Sequence, residues 1–107
     1  MALPNLTPEQ RAAALDKAAD ARRRRAEFKD RLKRGGISLT EVLDLGATDE
    51  VVGRTRVLDV IESLPGIGAV KAARIMEKLE ISPSRRVRGL GVKQRVALED
   101  EINSRGQ

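Results

Sequence analysis

Apolar residues recur along this chain at intervals of three and four, the period of one helix face, and no β-arm pattern appears. Thr7-Pro8-Glu9-Gln10 opens the first predicted helix. Thr7 is its N-cap, Pro8 its first helical residue, and Gln10 completes a capping box. Strong helix formers run on to Arg34, and Gly35-Gly36 stops them. At about 1.5 Å per residue this helix is roughly 40 Å long, more than the rest of the chain can cover. Leu15, Ala19 and Ala26 share one face, and Phe28 and Leu32 begin a wider one. Between them Arg22-Arg23-Arg24-Arg25 puts a cation on every side of one turn. That turn cannot enter a core, so it is solvated or lies on something acidic. The expectation is a helix docked from about Phe28 onward, with its first half projecting.

Ser38-Leu39-Thr40-Glu41 is a second capping box, opening a short helix with Leu39, Val42, Leu43 and Leu45 inward and Gly46 as its stop. Thr48-Asp49-Glu50-Val51-Val52 begins a further turn or two, ending at Gly53, and Thr55 can cap a helix from Arg56 to Leu64. Val57, Leu58, Val60, Ile61 and Leu64 mark the inner face of that helix. Val70, Ala73, Ile75, Met76 and Leu79 mark a helix from about Ala69 to Glu80, which ends at Ile81-Ser82-Pro83-Ser84. A last helix runs from about Val92 to Asn103, with Val96 and Ile102 expected in the core. The fold class is all-α: a long N-terminal helix, then about four to five short helices. Residues 1–34 form a basic arm docked at its C-terminal end, and residues 35–107 form the helical domain.

The 107 residues allow one compact domain plus an appendage. Phe28 is the sole aromatic, so the core comes from aliphatic side chains and no platform exists for stacking bases. That counts against single-strand binding and base flipping. The chain has no Cys and no His, which removes disulfides, thiolate metal sites and the usual general base. No cofactor and no metal is expected: Asp44, Asp49, Glu50, Asp59 and Glu62 read as solvated scaffold charges without the spacing of a calcium loop. No apolar run is long enough to span a membrane. Met1-Ala2-Leu3-Pro4 is not a signal peptide, so a cytoplasmic location is expected.

Net charge is +5 and is segregated. Residues 11–34 hold ten Lys or Arg against four acids, and residues 71–95 hold eight against two. Residues 35–70 between them hold two against six. Two basic blocks flanking an acidic middle point to a polyanion-binding surface.

Within that pattern, Leu64-Pro65-Gly66-Ile67-Gly68 breaks two helices sharply. Pro65 ends the first, and the glycines allow positive φ and close approach to bare backbone. Gly68 leads directly into the next helix, whose first amides lack internal partners. With Val70, Lys71 and Arg74 in its first turns, that end invites a phosphate. The stretch resembles the helix-hairpin-helix motif, in which the hairpin glycines give amides to a phosphate and a following Lys assists. Gly66, Gly68 and Lys71 stand at those positions. Further on, Arg85-Arg86-Val87-Arg88-Gly89-Leu90-Gly91 puts three arginines in four residues, flanked by Pro and Gly and short of carboxylates. These arginines suit phosphate or minor-groove contact. The link resembles the helix-two-turns-helix motif of a small-subunit ribosomal protein and certain glycosylases. In that role Gly89, Gly91 and the amides near Val92 and Lys93 meet a duplex backbone.

Taken in order, Met1-Ala2-Leu3-Pro4 with Leu6-Thr7, the Arg-rich helix, the Gly66/Gly68 hairpin and the Arg85–Gly91 turns resemble the actinobacterial integration host factors over essentially the full chain. The resemblance implies a nucleoid-associated, non-enzymatic protein that binds double-stranded DNA with little sequence preference and bends it. A recombinase acting on the same DNA is a candidate partner, no membrane or small-molecule substrate is implied, and a monomer free in solution is expected. Arg22, Arg23, Arg24 and Arg25 would make a second, weaker DNA contact. The alternative is a ribosome-associated protein binding structured RNA, since the same motif serves there. An enzyme such as a glycosylase is disfavoured because Pro4 is not terminal and aromatic wedges are absent. A module binding acidic protein partners is a third reading.

Overall fold

The computed structural model describes residues 6–106, and Met1-Ala2-Leu3-Pro4 lies outside them. Six α-helices follow one another: α1 (Pro8–Lys33), α2 (Leu39–Leu45), α3 (Glu50–Arg54), α4 (Val57–Glu62), α5 (Gly68–Lys78) and α6 (Val92–Gly106). A 3-10 turn, Val87–Gly89, stands before α6. Among the described residues no helix is long and apolar enough to cross a membrane.

The arm forms as its sequence dictates. The Thr7 hydroxyl accepts the Gln10 amide while the Gln10 side chain accepts the Thr7 amide. At the other end Gly35, at φ +77°, lets its own amide reach Leu32 O and that of Gly36 reach Arg31 O, which closes the helix. Phe28 and Leu32 are buried, whereas residues 6–19 are all exposed, so the first half of α1 projects. The long dimension of the molecule, 51 Å against 31 and 25 Å, follows from that arm.

The body is built on α4 and α5, which pack side by side. Val57, Val60 and Ile61 of α4 meet Ala72, Ile75 and Met76 of α5 in the core. Leu39, Val42 and Leu43 of α2 cover one side, and Leu98 of α6 enters from another. A polar latch reinforces α6: Arg95 reaches Asp44 at 2.6 Å and Glu99 at 3.2 Å, and Glu101 accepts from Lys78 at 2.9 Å and Arg105 at 2.8 Å. At the end of α5, Glu80 takes φ +57° and the Ile81 amide reaches Met76 O. The chain then turns back, and the Val57 amide at the start of α4 donates to Arg85 O at 2.8 Å. The hairpin and the arginine loop therefore stand at opposite ends of the short α4.

Three expectations fail for physical reasons. Leu45 was expected inward but is 39% exposed, because Leu39, Val42 and Leu43 already fill the inner face of α2. Val96 was expected in the core but is 52% exposed, while Leu98 is fully buried and Ile102, one turn later, is partly so. Two residues of helix rotate a side chain by about 200°, so Val96 and Leu98 cannot share a face. Thr55 does not cap α4. Its hydroxyl donates to Val51 O at 2.8 Å, closing α3 instead, and Arg56 takes the cap position without a side-chain bond. Smaller shifts fall at helix ends: α3 runs one residue past Gly53 to Arg54, α4 stops at Glu62, and α5 spans Gly68–Lys78.

Candidate nucleic-acid interface

After α4 the chain passes through Leu64, which is buried, into Pro65 and Gly66, which are exposed. Gly66 at φ +75° and Gly68 at φ +70° both use the left-handed region. An added Cβ would meet nothing within 4 Å at either position. Packing therefore does not demand glycine here; the backbone conformation does. Ile67 leans on the core and anchors the turn, and its amide bonds Leu64 O. The Gly66 and Gly68 amides have no protein acceptor among the described residues. Lys71 folds back so that its ammonium donates to Gly66 O at 3.3 Å, beside those amides. Val70 is 67% exposed at the rim, and Arg74 stands exposed one turn on, outside every ion pair among the described residues. The hairpin thus offers free N–H groups, a helix N-terminus and two cations to one place.

At the other end of α4 the arginine loop is fixed by main-chain bonds. Val87 donates to Thr55 O at 2.9 Å, and with the Arg85–Val57 bond this pairs Arg86 antiparallel to Arg56. Val87 is buried and pins the loop to the body. It fits only because Gly46 lacks a side chain, since a Cβ there would stand 2.3 Å from Val87 Cγ1. None of Arg85, Arg86 and Arg88 has a carboxylate partner among the described residues. Each guanidinium is tied to a carbonyl instead: Arg85 to Gly89 O at 3.1 Å, Arg86 to Arg54 O, and Arg88 to Gly46 O at 3.5 Å. The three arginines border an open groove of about 450 Å³ with Ser82, Ser84, Gly89 and Arg54. Arg54 escaped the sequence reading, because it lies in the net-acidic stretch, four residues after Glu50 and legible only as that residue's ion-pair partner.

Gly89 and Gly91 are both exposed, and their amides are bonded within the loop and the start of α6. The Gly89 amide bonds Arg86 O at 2.9 Å and the Gly91 amide bonds the Gln94 side chain at 3.0 Å, so neither is a free donor. These glycines keep the surface low, and the donors left at the start of α6 are the amides of Val92 and Lys93 with the exposed Lys93 side chain.

The four arm arginines separate into different surroundings. Arg23 pairs with Asp20 and Glu27 of its own helix. Arg22 and Arg25 face Asp59, Glu62 and Ser63 of the α4 end across a groove of about 600 Å³, and Arg24 lies beside Phe28 and Asp49. The arm's basic turn therefore neighbours the hairpin end of α4. The arginine loop and the hairpin do not share a groove. The short α4, Val57–Glu62, stands between them.

Residues 32–102 match the family described as the S13-like H2TH domain, and the fold and its two glycine-bearing turns agree with that class. The integration host factor of Mycobacterium tuberculosis (strain ATCC 25618 / H37Rv) is 61% identical over 104 residues, covering 97% of this chain and 99% of the relative. That of Streptomyces coelicolor (strain ATCC BAA-471 / A3(2) / M145) is 60% identical over 106 residues, covering 99% of each. That of Mycolicibacterium smegmatis (strain ATCC 700084 / mc(2)155) is 60% identical over 103 residues, covering 96% and 98%. A solved structure, described as sIHF bound to an 8bp palindromic DNA, superposes with a TM-score of 0.78 and 56% identity over 80% of this chain and 97% of that one. The chain belongs to the integration host factor family.

Proposed function

We propose that this protein is a non-enzymatic architectural factor of the nucleoid, binding the backbone of double-stranded DNA with low sequence specificity and bending or compacting it. The observation that carries this reading is the arginine loop. Three guanidiniums held by main-chain carbonyls, with no carboxylate partner among the described residues, are poised for an external polyanion. The relative seen with DNA has the same fold, which supports duplex DNA over structured RNA. One clamp is the Gly66/Gly68 hairpin with Lys71 and Arg74. The other is Arg85, Arg86 and Arg88 with Lys93 at the start of α6. Arg22 to Arg25 would grip a second duplex or a bent continuation of the same one. The protein would act as a monomer in solution and share its DNA with a recombinase.

Fluorescence anisotropy of a labelled duplex across a salt series tests this. Six cations on six phosphates give a slope of log affinity against log salt near −5. A slope shallower than about −2 refutes the electrostatic account. Replacing Arg85, Arg86 and Arg88 together by Ala should weaken every sequence about equally, because phosphate contacts carry no base information. A loss confined to AT-rich duplexes would transfer the loop to minor-groove reading. Tighter binding to structured RNA than to duplex DNA of equal length would overturn the choice of partner.

A further inference from the structure

The groove beside the arginine loop has a second wall, supplied by the α3–α4 junction. Arg54 lines it together with Arg85, Arg86 and Arg88, and the Arg54 carbonyl accepts the Arg86 guanidinium. The antiparallel pairing of Arg56 with Arg86 fixes this junction against the loop. Gly53, the preceding residue, lies so close under Arg88 that a Cβ there would be 2.9 Å from Arg88 Nε. The two segments are therefore built as one seat.

We propose that Arg54 is a phosphate-contacting residue of this clamp, so that the seat is formed by residues 53–56 as well as residues 82–89. This rests on the reading that the groove takes a DNA backbone. The chemistry favours it. Arg54 Nη2 meets Glu50 at 2.7 Å within the same helix, and both side chains are well exposed. A guanidinium carries five N–H donors in a fixed fork, so one carboxylate oxygen leaves most of that fork open. Glu50 steers the side chain without consuming it, and an exposed pair of this kind adds little to stability. The Arg54 side chain can therefore be removed while the carbonyl that holds Arg86 stays in place.

The test compares Arg54→Ala with Arg34→Ala. Arg34 is likewise an exposed arginine paired with a carboxylate four residues earlier, Asp30 at 3.1 Å, but it lies at the end of α1 and does not border the groove. Both variants lose one positive charge, which cancels the general effect of net charge. Duplex affinity is read by anisotropy across a salt series, and folding by circular-dichroism melting. Arg54→Ala should melt with the unaltered protein, weaken binding about tenfold and reduce the salt slope by about one. Arg34→Ala should change affinity less than about twofold, and Arg54→Lys should restore the slope but not the full affinity, lacking the fork. Equal weakening by Arg54→Ala and Arg34→Ala, or an unchanged slope in Arg54→Ala, overturns the proposal. If the unaltered protein binds no duplex, the parent reading falls as well. If binding is lost in the Arg85/Arg86/Arg88 triple variant yet indifferent to Arg54, only this proposal falls.

Discussion

Replacing Gly53 by Ala sets two magnitudes against each other. Gly53 lies inside α3 with an ordinary helical backbone, so propensity alone says that Ala should stabilise by about 1 kcal/mol. The surroundings say the opposite. A methyl group there would stand 2.6 Å from Gly46 O, 2.9 Å from Arg88 Nε and 3.0 Å from Arg88 Nη2. Arg88 can swing aside, but Gly46 O is backbone at the end of α2 and cannot. The α2–α3 corner must open, at a cost of about 1–3 kcal/mol for an overpacked contact. The steric term wins over most of that range, leaving a net loss of up to about 2 kcal/mol, or up to roughly 10 °C in Tm for a domain of this size.

The same displacement has a functional signature. Arg88 leans on Gly46 O, so opening that corner unties its guanidinium while leaving Arg85 and Arg86 tethered. Duplex affinity should fall several-fold and the salt slope should become shallower by about one. Thermal melting and anisotropy on the same preparation check both parts. A suitable comparison is Gly36→Ala, where the nearest atom to an added Cβ is Arg31 O at 3.5 Å, an ordinary contact. A Gly53→Ala protein that melts at or above the unaltered temperature would refute the argument that the glycine corner positions the loop.

Three further outcomes follow from particular contacts. Leu98→Ala should cost about 2–5 kcal/mol by chemical denaturation, since a fully buried leucine is the main apolar anchor of α6. Glu80→Gly should raise Tm by a few degrees, corresponding to about 0.5–1 kcal/mol, because Glu80 sits at φ +57° where a Cβ is strained. Glu101 should show a definite pH signature. Hydrogen bonds from Lys78 and then Arg105 hold its pKa below the ordinary value of 4.5. A depressed folded pKa contributes stability above the unfolded pKa and loses it as pH falls through the folded one. Glu101→Gln should therefore be less stable than the unaltered protein at neutral pH, and the difference should fade as acid protonates the Glu101 carboxylate. A constant difference on acidification would contradict it.

Local signals were the legible ones. Thr7 with Gln10 and Ser38 with Glu41 each complete their bonds within four residues, so a short window of sequence contains all the partners. The Gly66/Gly68 hairpin was readable for the same reason, because a positive φ is a property of the residue itself. What escaped depends on partners far along the chain. Nothing near Gly46 announces that Val87 will press on it, and nothing near Gly53 announces Arg88. Thr55 has the residue type of a cap, but Val87 and Val51 compete for its groups and win. Arg54 was hidden by its own stretch, where six acids outweigh two arginines in the count, although the fold turns it toward the basic loop.

The arginine loop also shows why so small a core suffices for its task. Like charges brought together in a free protein repel, and acidic partners would be the cheap remedy. Here carbonyl groups of Gly46, Arg54 and Gly89 take that place. A carbonyl orients a guanidinium without cancelling its charge, so the side chain arrives partly ordered and still fully cationic. Immobilising a long side chain on binding costs about 0.5–1.5 kcal/mol, and some of that ordering is already present before DNA approaches. The anchor required is slight: one buried valine, Val87, seated against Gly46, where a side chain would exclude it.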